Sequence, residues 1–365
     1  MNITYLIGNG FDIGLGLKTD YKSFLDWYLH QPNDSSEVGW LKDQILKDTE
    51  LWSDAELAFG ALKFSEFGGK SFDTYELCLE SFVSALSRYL IVENGRLQIP
   101  AEKHAEVASW FLRGILHLWK YMTPECEASY RNAIQKSPPL TLTFVTFNYT
   151  DSLERLLGFD ANSTKEFSVE IEKDKTIPVI VKGVLHAHGS LESDFIFGVD
   201  DDQQIADPNV RAYCVRNGGV IKARLEQKTG LRNRKRAIEA INNSNLIVTY
   251  GLSFGKTDRS WWDALYSCFN DRNVPLVFCP FVKDFPDSGY SCSYRARMYE
   301  REKCRVFASL FDRAAGLREV IESVDAPRIT VLHPKKVPDG MGRVNPCDFF
   351  KLKYFYQKFV EKVVA

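Results

Sequence analysis

Short, almost wholly apolar runs recur along this chain, each closing on glycine or a small polar residue and each followed by helical periodicity, and that alternation most restricts its fold. Asn2–Ile7 ends in Gly8-Asn9-Gly10, residues 140–147 lead into Asn148-Tyr149-Thr150, and residues 179–184 lead into His186-Ala187-His188-Gly189-Ser190. Leu246–Tyr250 ends at Gly251, and residues 274–279 and 328–332 supply further runs. A strand without polar alternation is buried on both faces, which is the condition of a parallel sheet sheathed by helices. Helical spacing over residues 150–157, 231–242, 258–269, 310–324 and 349–364 supplies the cover, so the pattern predicts an α/β fold.

Residues 34–138 break the alternation. Helical stretches are predicted over residues 55–64, 74–92 and 101–135, no strand lies between them, and Pro138-Pro139 closes the segment. The predicted organisation is a sheet domain made of residues 1–33 and 139–334, a large α-helical insertion over 34–138, and a helical extension over 335–365. Near the start, Thr19 or Asp20 is placed to cap a helix carrying Tyr21, Phe24, Leu25 and Tyr28 at helical spacing. Phe11 to Lys18 reads as a loop widened by Gly14 and Gly16.

Charge narrows the partners. Lys plus Arg number 46 against 48 Asp plus Glu, a net charge of -2, so the basic excess of a protein that grips phosphate backbone is missing and nucleic acid is not an obligatory partner. The densest basic run, Lys222, Arg224, Lys228, Arg232, Arg234, Lys235 and Arg236, reads as a solvated loop and helix start. The 8 cysteines contain no Cys-x-x-Cys pair and read as buried thiols of a reducing compartment. Residues 1–8 lack the basic region of a signal peptide, and no apolar run reaches membrane-spanning length. The expectation is a cytoplasmic protein with no membrane partner.

The polar residues that could carry chemistry gather at the predicted carboxyl ends of the strands, where α/β sheets bind ligands. In Gly8-Asn9-Gly10-Phe11-Asp12, two glycines permit a sharp turn and close approach of backbone amides to a phosphate. Position 13 is Ile13, so the dinucleotide fingerprint is incomplete, and an ordinary turn fits equally well. Thr146-Phe147-Asn148-Tyr149-Thr150-Asp151 places an amide at a strand end, to hold a ribose hydroxyl or water or to cap a helix. His188, before Gly189, is a candidate general base, and strand alternation puts His186 on its side. Gly251, Ser253 and Asp258 lie on a strand–loop–helix stretch suited to the second half of a nucleotide. Only three residues separate Gly251 from Gly255, which disfavours an ATP-hydrolysing phosphate loop ending in Lys256-Thr257.

Together these motifs resemble AbiH, a family of phage-exclusion proteins. The resemblance is carried by Gly8-Asn9-Gly10-Phe11-Asp12 with Gly16-Leu17-Lys18-Thr19-x-Tyr21-x-x-Phe24, by Thr146 to Asp151, by His188-Gly189, and by Tyr250-Gly251-x-Ser253 with Asp258. Trp52, Asp54 and Glu56 add a Trp-x-Asp-x-Glu stretch. The order of motifs is similar, more distantly, to sirtuin-like domains of defence proteins. That similarity implies a Rossmann-like parallel sheet and NAD as substrate or ligand, with no tightly bound cofactor. It implies Asn148 and His188 as catalytic residues, with Gly8, Asn9, Gly10, Phe11, Asp12, Thr146, Gly251, Ser253 and Asp258 around the nucleotide. Deacetylating sirtuins carry Asn-x-Asp, where this chain has Asn148-Tyr149-Thr150, and a four-cysteine zinc module, for which no spacing exists here.

The resemblance therefore implies an antiphage effector that hydrolyses NAD to release nicotinamide. A non-catalytic sensor of NAD or ADP-ribose is the alternative, with a phage-derived trigger and a homo-oligomer among the partners to look for. A nucleic-acid effector would need clustered carboxylates for metal, and Asp200-Asp201-Asp202 is the stretch to examine.

Overall fold

β1 (Asn2–Ile7) is buried along all but its first residue and lies at the centre of a seven-stranded sheet. The computed structural model describes residues 1–279 except 68–70, 122–123, 194, 230–232 and 273, together with 329–331, 335–336 and 343–344. On one side β1 pairs in parallel with β2 (Leu140–Thr146), from Asn2 opposite Thr141 to Ile7 opposite Thr146. On the other it pairs in parallel with β5 (Leu246–Tyr250). Beyond β2 come β4 (Lys175–His186) and, antiparallel to it, β3 (Lys165–Glu172); beyond β5 come β6 (Leu276–Cys279) and β7 (Ile329–Val331).

Strand alternation divides the core between two faces. Ile3, Tyr5 and Ile7 of β1 join Phe144 of β2 and Val248 of β5 on one face. That face is covered by α1 (Gly10–Leu15), α6 (His104–Leu116) and α8 (Ser152–Leu157). Leu6, Val145 and Ile247 point the other way, against α11 (Asn233–Asn242) and α12 (Arg259–Arg272). Each large apolar side chain buried this way is worth roughly 1.5–3 kcal/mol, and a one-residue slip would reverse all of them. Thr4, the polar residue within β1, accepts from Ser244 Oγ at 2.6 Å and donates to the carbonyl of Ala240 at 3.1 Å. Register is thus fixed by burial and by a satisfied hydroxyl.

Residues 34–138 are helical where they adopt regular structure, among the described residues, but their packing divides. α3 (Ser36–Lys47), α4 (Ala55–Gly60) and α5 (Ser71–Asn94) form an aromatic-rich cluster with α2 (Tyr21–Leu29) and residues 197–221. There Phe82 lies edge-on to Phe24, with ring centroids 5.2 Å apart. α6 packs on the sheet instead, through Phe111 against Phe11 and Phe144.

Several elements differ from the sequence expectation. Phe11 to Lys18 is not an open loop: α1 occupies its first half and ends at Gly16, whose φ of 95° is the left-handed cap glycine supplies. The helix expected over 101–135 divides after Leu116, because Pro124 opens α7 (Pro124–Lys136) and cannot continue a helix from before it. β3 was not anticipated because, as a half-exposed edge strand, it alternates charged and apolar residues, unlike the buried runs. α3, α9 (Pro208–Asn217) and α10 (Lys222–Thr229) are likewise additions. In the stretch 335–365, expected to be helical, Lys335–Lys336 and Arg343–Val344 pair as antiparallel strands. The helices expected at 310–324 and 349–364 lie outside the described residues.

Cys78, Cys214, Cys268 and Cys279 are free and buried. Among the described residues no helix is long and apolar enough to cross a membrane.

Candidate functional site

The chain leaves β1 to build β2 and β4 on one side and returns at β5 on the other, so the loops after β1 and β5 diverge at a topological switch point, where open α/β sheets form their crevice. The two loops first touch. The N–H groups of Gly8 and Gly10 donate to the carbonyls of Tyr250 and Gly251, each at 2.9 Å, and that of Phe11 donates to Gly8. A Cβ on Gly8 would stand 2.6 Å from the Gly251 oxygen, and one on Gly251, at φ 65°, 2.6 Å from backbone atoms of Gly10 and Phe11. These glycines let the loops interlock; the Gly8 and Gly10 amides are spent on that contact and the Phe11 amide on its own turn, rather than left for a phosphate.

Above the interlock lies a cavity of about 720 Å³, within the usual range for small-molecule sites. Gly8, Asn9, Gly10, Asp12, Asn148, His188, Gly251, Ser253 and Asp258 all line it. Phe11 and Thr146 do not: the Phe11 ring packs on Phe111 and Tyr250 in the core, and the Thr146 hydroxyl accepts from the Asn148 N–H. The Asn9 side chain is committed to Thr19, donating to its carbonyl at 3.0 Å and accepting from its hydroxyl at 2.5 Å.

Asn148 stands just past β2. Its Nδ2 donates to the Gly8 carbonyl at 3.3 Å, which fixes the amide's orientation and leaves Oδ1 buried without a protein partner. Beside it, the Thr150 and Ser152 hydroxyls donate to the two oxygens of fully buried Asp12, each at 2.5 Å. Burial pushes the Asp12 carboxyl up to about 6 against the pull of those hydroxyls and of Asn148, with Glu154 adding to the rise.

His188 is 3% exposed, and its Nε2 lies 2.8 Å from Oδ1 of Asp258. The same oxygen receives the ammonium of Lys222 at 2.9 Å, and Lys222 also donates to Oε2 of Glu56 at 2.8 Å. Burial alone would raise the Asp258 carboxyl, but Lys222 and His188 more than offset it and hold Asp258 well below the usual range. Burial likewise works against the Lys222 ammonium, and Asp258 and Glu56 more than offset it, so Lys222 is raised. An ionised Asp258 accepts from Nε2–H, so the neutral imidazole presents a lone pair at Nδ1. Nδ1 is buried and has no protein partner.

His186 takes a different place from the one alternation implies. β4 ends at His186 and Gly189 turns at φ 76°, so the two rings diverge. His186 Nε2 lies 2.6 Å from Glu154 of α8, and its Nδ1 lies 3.1 Å from the Asn148 carbonyl. His188 packs edge-on to Phe147 and Trp261 on the α12 side. Burial pulls the His186 pKa down, but the hydrogen bond and charge of Glu154 outweigh it and the pKa is raised.

Lys222 corrects the reading of the basic run as wholly solvated: it is 2% exposed, and its one sequence signal is the apolar Val220-Ile221 directly before it. Glu56 was visible only through the Trp-x-Asp-x-Glu resemblance. The acidic stretch also resolves. Asp200 accepts from the N–H and hydroxyl of Ser260 at the start of α12, and Asp201 caps the short helical turn Asp202–Gln204. Among the described residues no group of three or more His, Cys, Asp or Glu side chains is disposed to hold a metal.

The model of the family described as bacteriophage abortive infection AbiH matches residues 4–279. The chain belongs to the AbiH family. The matched span holds every cavity residue named above, from Gly8 to Asp258, and ends with β6. AbiH membership gives the chain a role in phage abortive infection. No curated protein and no solved structure matches the chain.

Proposed function

We propose that this AbiH chain is an abortive-infection effector that hydrolyses the bond between nicotinamide and ribose in NAD. The observation that carries the reading is a pair of buried atoms without protein partners, His188 Nδ1 and Asn148 Oδ1, in two residues that line one cavity at the switch point of a mostly parallel sheet. Such atoms are costly to leave unpaired, by roughly 1–3 kcal/mol each, unless a ligand or water brings a donor.

The chemistry follows from their placement. Breaking the glycosidic bond sends its electron pair to nicotinamide and leaves positive charge on the ribose. Asn148 Oδ1 accepts a hydrogen from the attacking water or a ribose hydroxyl and so orients it. The water oxygen bonds to the anomeric carbon, and its proton passes to His188 Nδ1. Asp258 holds the ring through its Nε2. Asp54, which also lines the cavity, adds negative charge that favours a developing ribosyl cation, whereas the charge of Glu56 is largely offset by Lys222. The products are nicotinamide, ADP-ribose and a proton.

Incubation of the full chain with NAD, followed by chromatography, tests this: free nicotinamide is expected. A second reading, a sensor that binds the nucleotide without turnover, is favoured by Thr150, which stands where sirtuins carry aspartate and whose hydroxyl is taken by Asp12. NAD that binds but stays intact would select it.

A further inference from the structure

The cavity wall has an uneven chemistry. The carboxylates of Asp12, Asp20, Asp54, Glu56 and Asp258 line it, and among the described residues no Lys or Arg does. Behind the wall, the Lys222 ammonium lies between Glu56 and Asp258. Of the unpartnered atoms of His188 and Asn148, each residue more than nine-tenths buried, Asn148 Oδ1 is an acceptor and His188 Nδ1 is one in the neutral ring, and the amides of Gly8, Gly10 and Phe11 are already bonded. Aromatic rings of Tyr21, Phe147, Tyr149 and Trp262 complete the wall. Burial first, then neighbouring carboxylates, hold the Tyr21 and Tyr149 hydroxyls well above their ordinary pKa, so neither adds a negative charge. A ligand matching this wall brings hydrogen-bond donors and a delocalised positive charge. A vicinal diol supplies the first, and a flat cationic ring, attracted to aromatic faces and carboxylates, supplies the second. A phosphate supplies neither and would be repelled.

We infer that the cavity receives only the cationic nucleoside end of its substrate, a pyridinium riboside, and leaves every phosphate outside. The inference rests on the N-glycoside reading above and deepens it. Nicotinamide riboside is then a full substrate, and NAD is cleaved because its pyrophosphate projects out of the cavity. The mononucleotide carries its phosphate on the same ribose 5′ oxygen as NAD, but as a monoester dianion rather than a singly charged diester, so the carboxylate-lined cavity disfavours it more strongly.

The test compares kcat/KM of the full chain for nicotinamide riboside, nicotinamide mononucleotide and NAD, with titration calorimetry of the same three compounds. The riboside is expected to match or exceed NAD and to exceed the mononucleotide by on the order of tenfold, the size of a partly screened like-charge contact. Asp54→Asn keeps the capping acceptor for the Leu57 N–H and removes one charge, so the gap between riboside and mononucleotide should narrow. Cleavage of NAD with the riboside more than tenfold poorer would overturn the inference and leave NAD hydrolysis standing. With no turnover of any compound the hydrolase reading fails, and calorimetry decides the inference separately. Tighter binding of the riboside than of the mononucleotide supports it. Binding of the phosphorylated compounds alone, or of none, overturns it.

Discussion

His188 and Lys222 share a single carboxylate oxygen: Oδ1 of Asp258 lies 2.8 Å from the imidazole Nε2 and 2.9 Å from the ammonium. The sharing makes the His188–Asp258 contact robust to loss of the imidazole, because Asp258 keeps its cation. The pair of His186 and Glu154 has no such reserve, since Glu154 Oε2 is already buried without a partner. His188→Ala is therefore expected to lose only the packing of its ring on Phe147 and Trp261, while His186→Ala also strands a buried carboxylate, costs about 3–5 kcal/mol and is the more destabilising of the two. Denaturant unfolding of both variants checks this, and equal losses would refute the distinction.

Lys222 is the residue on which two buried carboxylates depend. Lys222→Met preserves much of the side-chain volume but leaves Glu56 and Asp258 facing each other without a counter-charge. A loss of about 3–5 kcal/mol is expected. Glu56→Gln added to Lys222→Met should recover part of it, and a double-mutant cycle reads the coupling.

Asp12 carries a pH signature. Its carboxyl is raised by burial from 3.8 to about 6 in the folded chain, so between those values the native state keeps a proton that the unfolded state has lost. The stabilisation is complete below about pH 4 and disappears as pH rises through about 6, by up to roughly 3 kcal/mol for a shift of this size. Asp12→Asn cannot titrate there, and unfolding free energies measured from pH 4 to 7 should lose that component of the slope. An unchanged slope would place the titration elsewhere.

Much of this arrangement was legible in the sequence because parallel strands buried on both faces announce themselves as apolar runs. Asn2–Ile7 and Leu246–Tyr250 coincide with β1 and β5, and residues 140–147 contain β2. The gathering of polar residues at strand ends was legible for the same reason. What remained hidden depended on tertiary contact. Gly8 and Gly251 read as room for a phosphate, but they make room for each other's loop. Phe11 sits within the first motif yet faces the core. Lys222 reads like its exposed neighbours, and only folding brings it to Glu56 and Asp258, residues 166 and 36 positions away. Periodicity reports which face a residue takes, and it carries no record of such long-range pairs.

The most direct test is nicotinamide release from NAD by the full chain, by Asn148→Ala and by His188→Ala, each checked for a normal melting profile. The full chain should release nicotinamide. His188→Ala should fall by about 10²–10⁴-fold, the usual cost of losing a general base, and Asn148→Ala should also be impaired. NAD left intact by the full chain, or cleaved at the full rate by a folded His188→Ala variant, would contradict the assignment of His188 as the base.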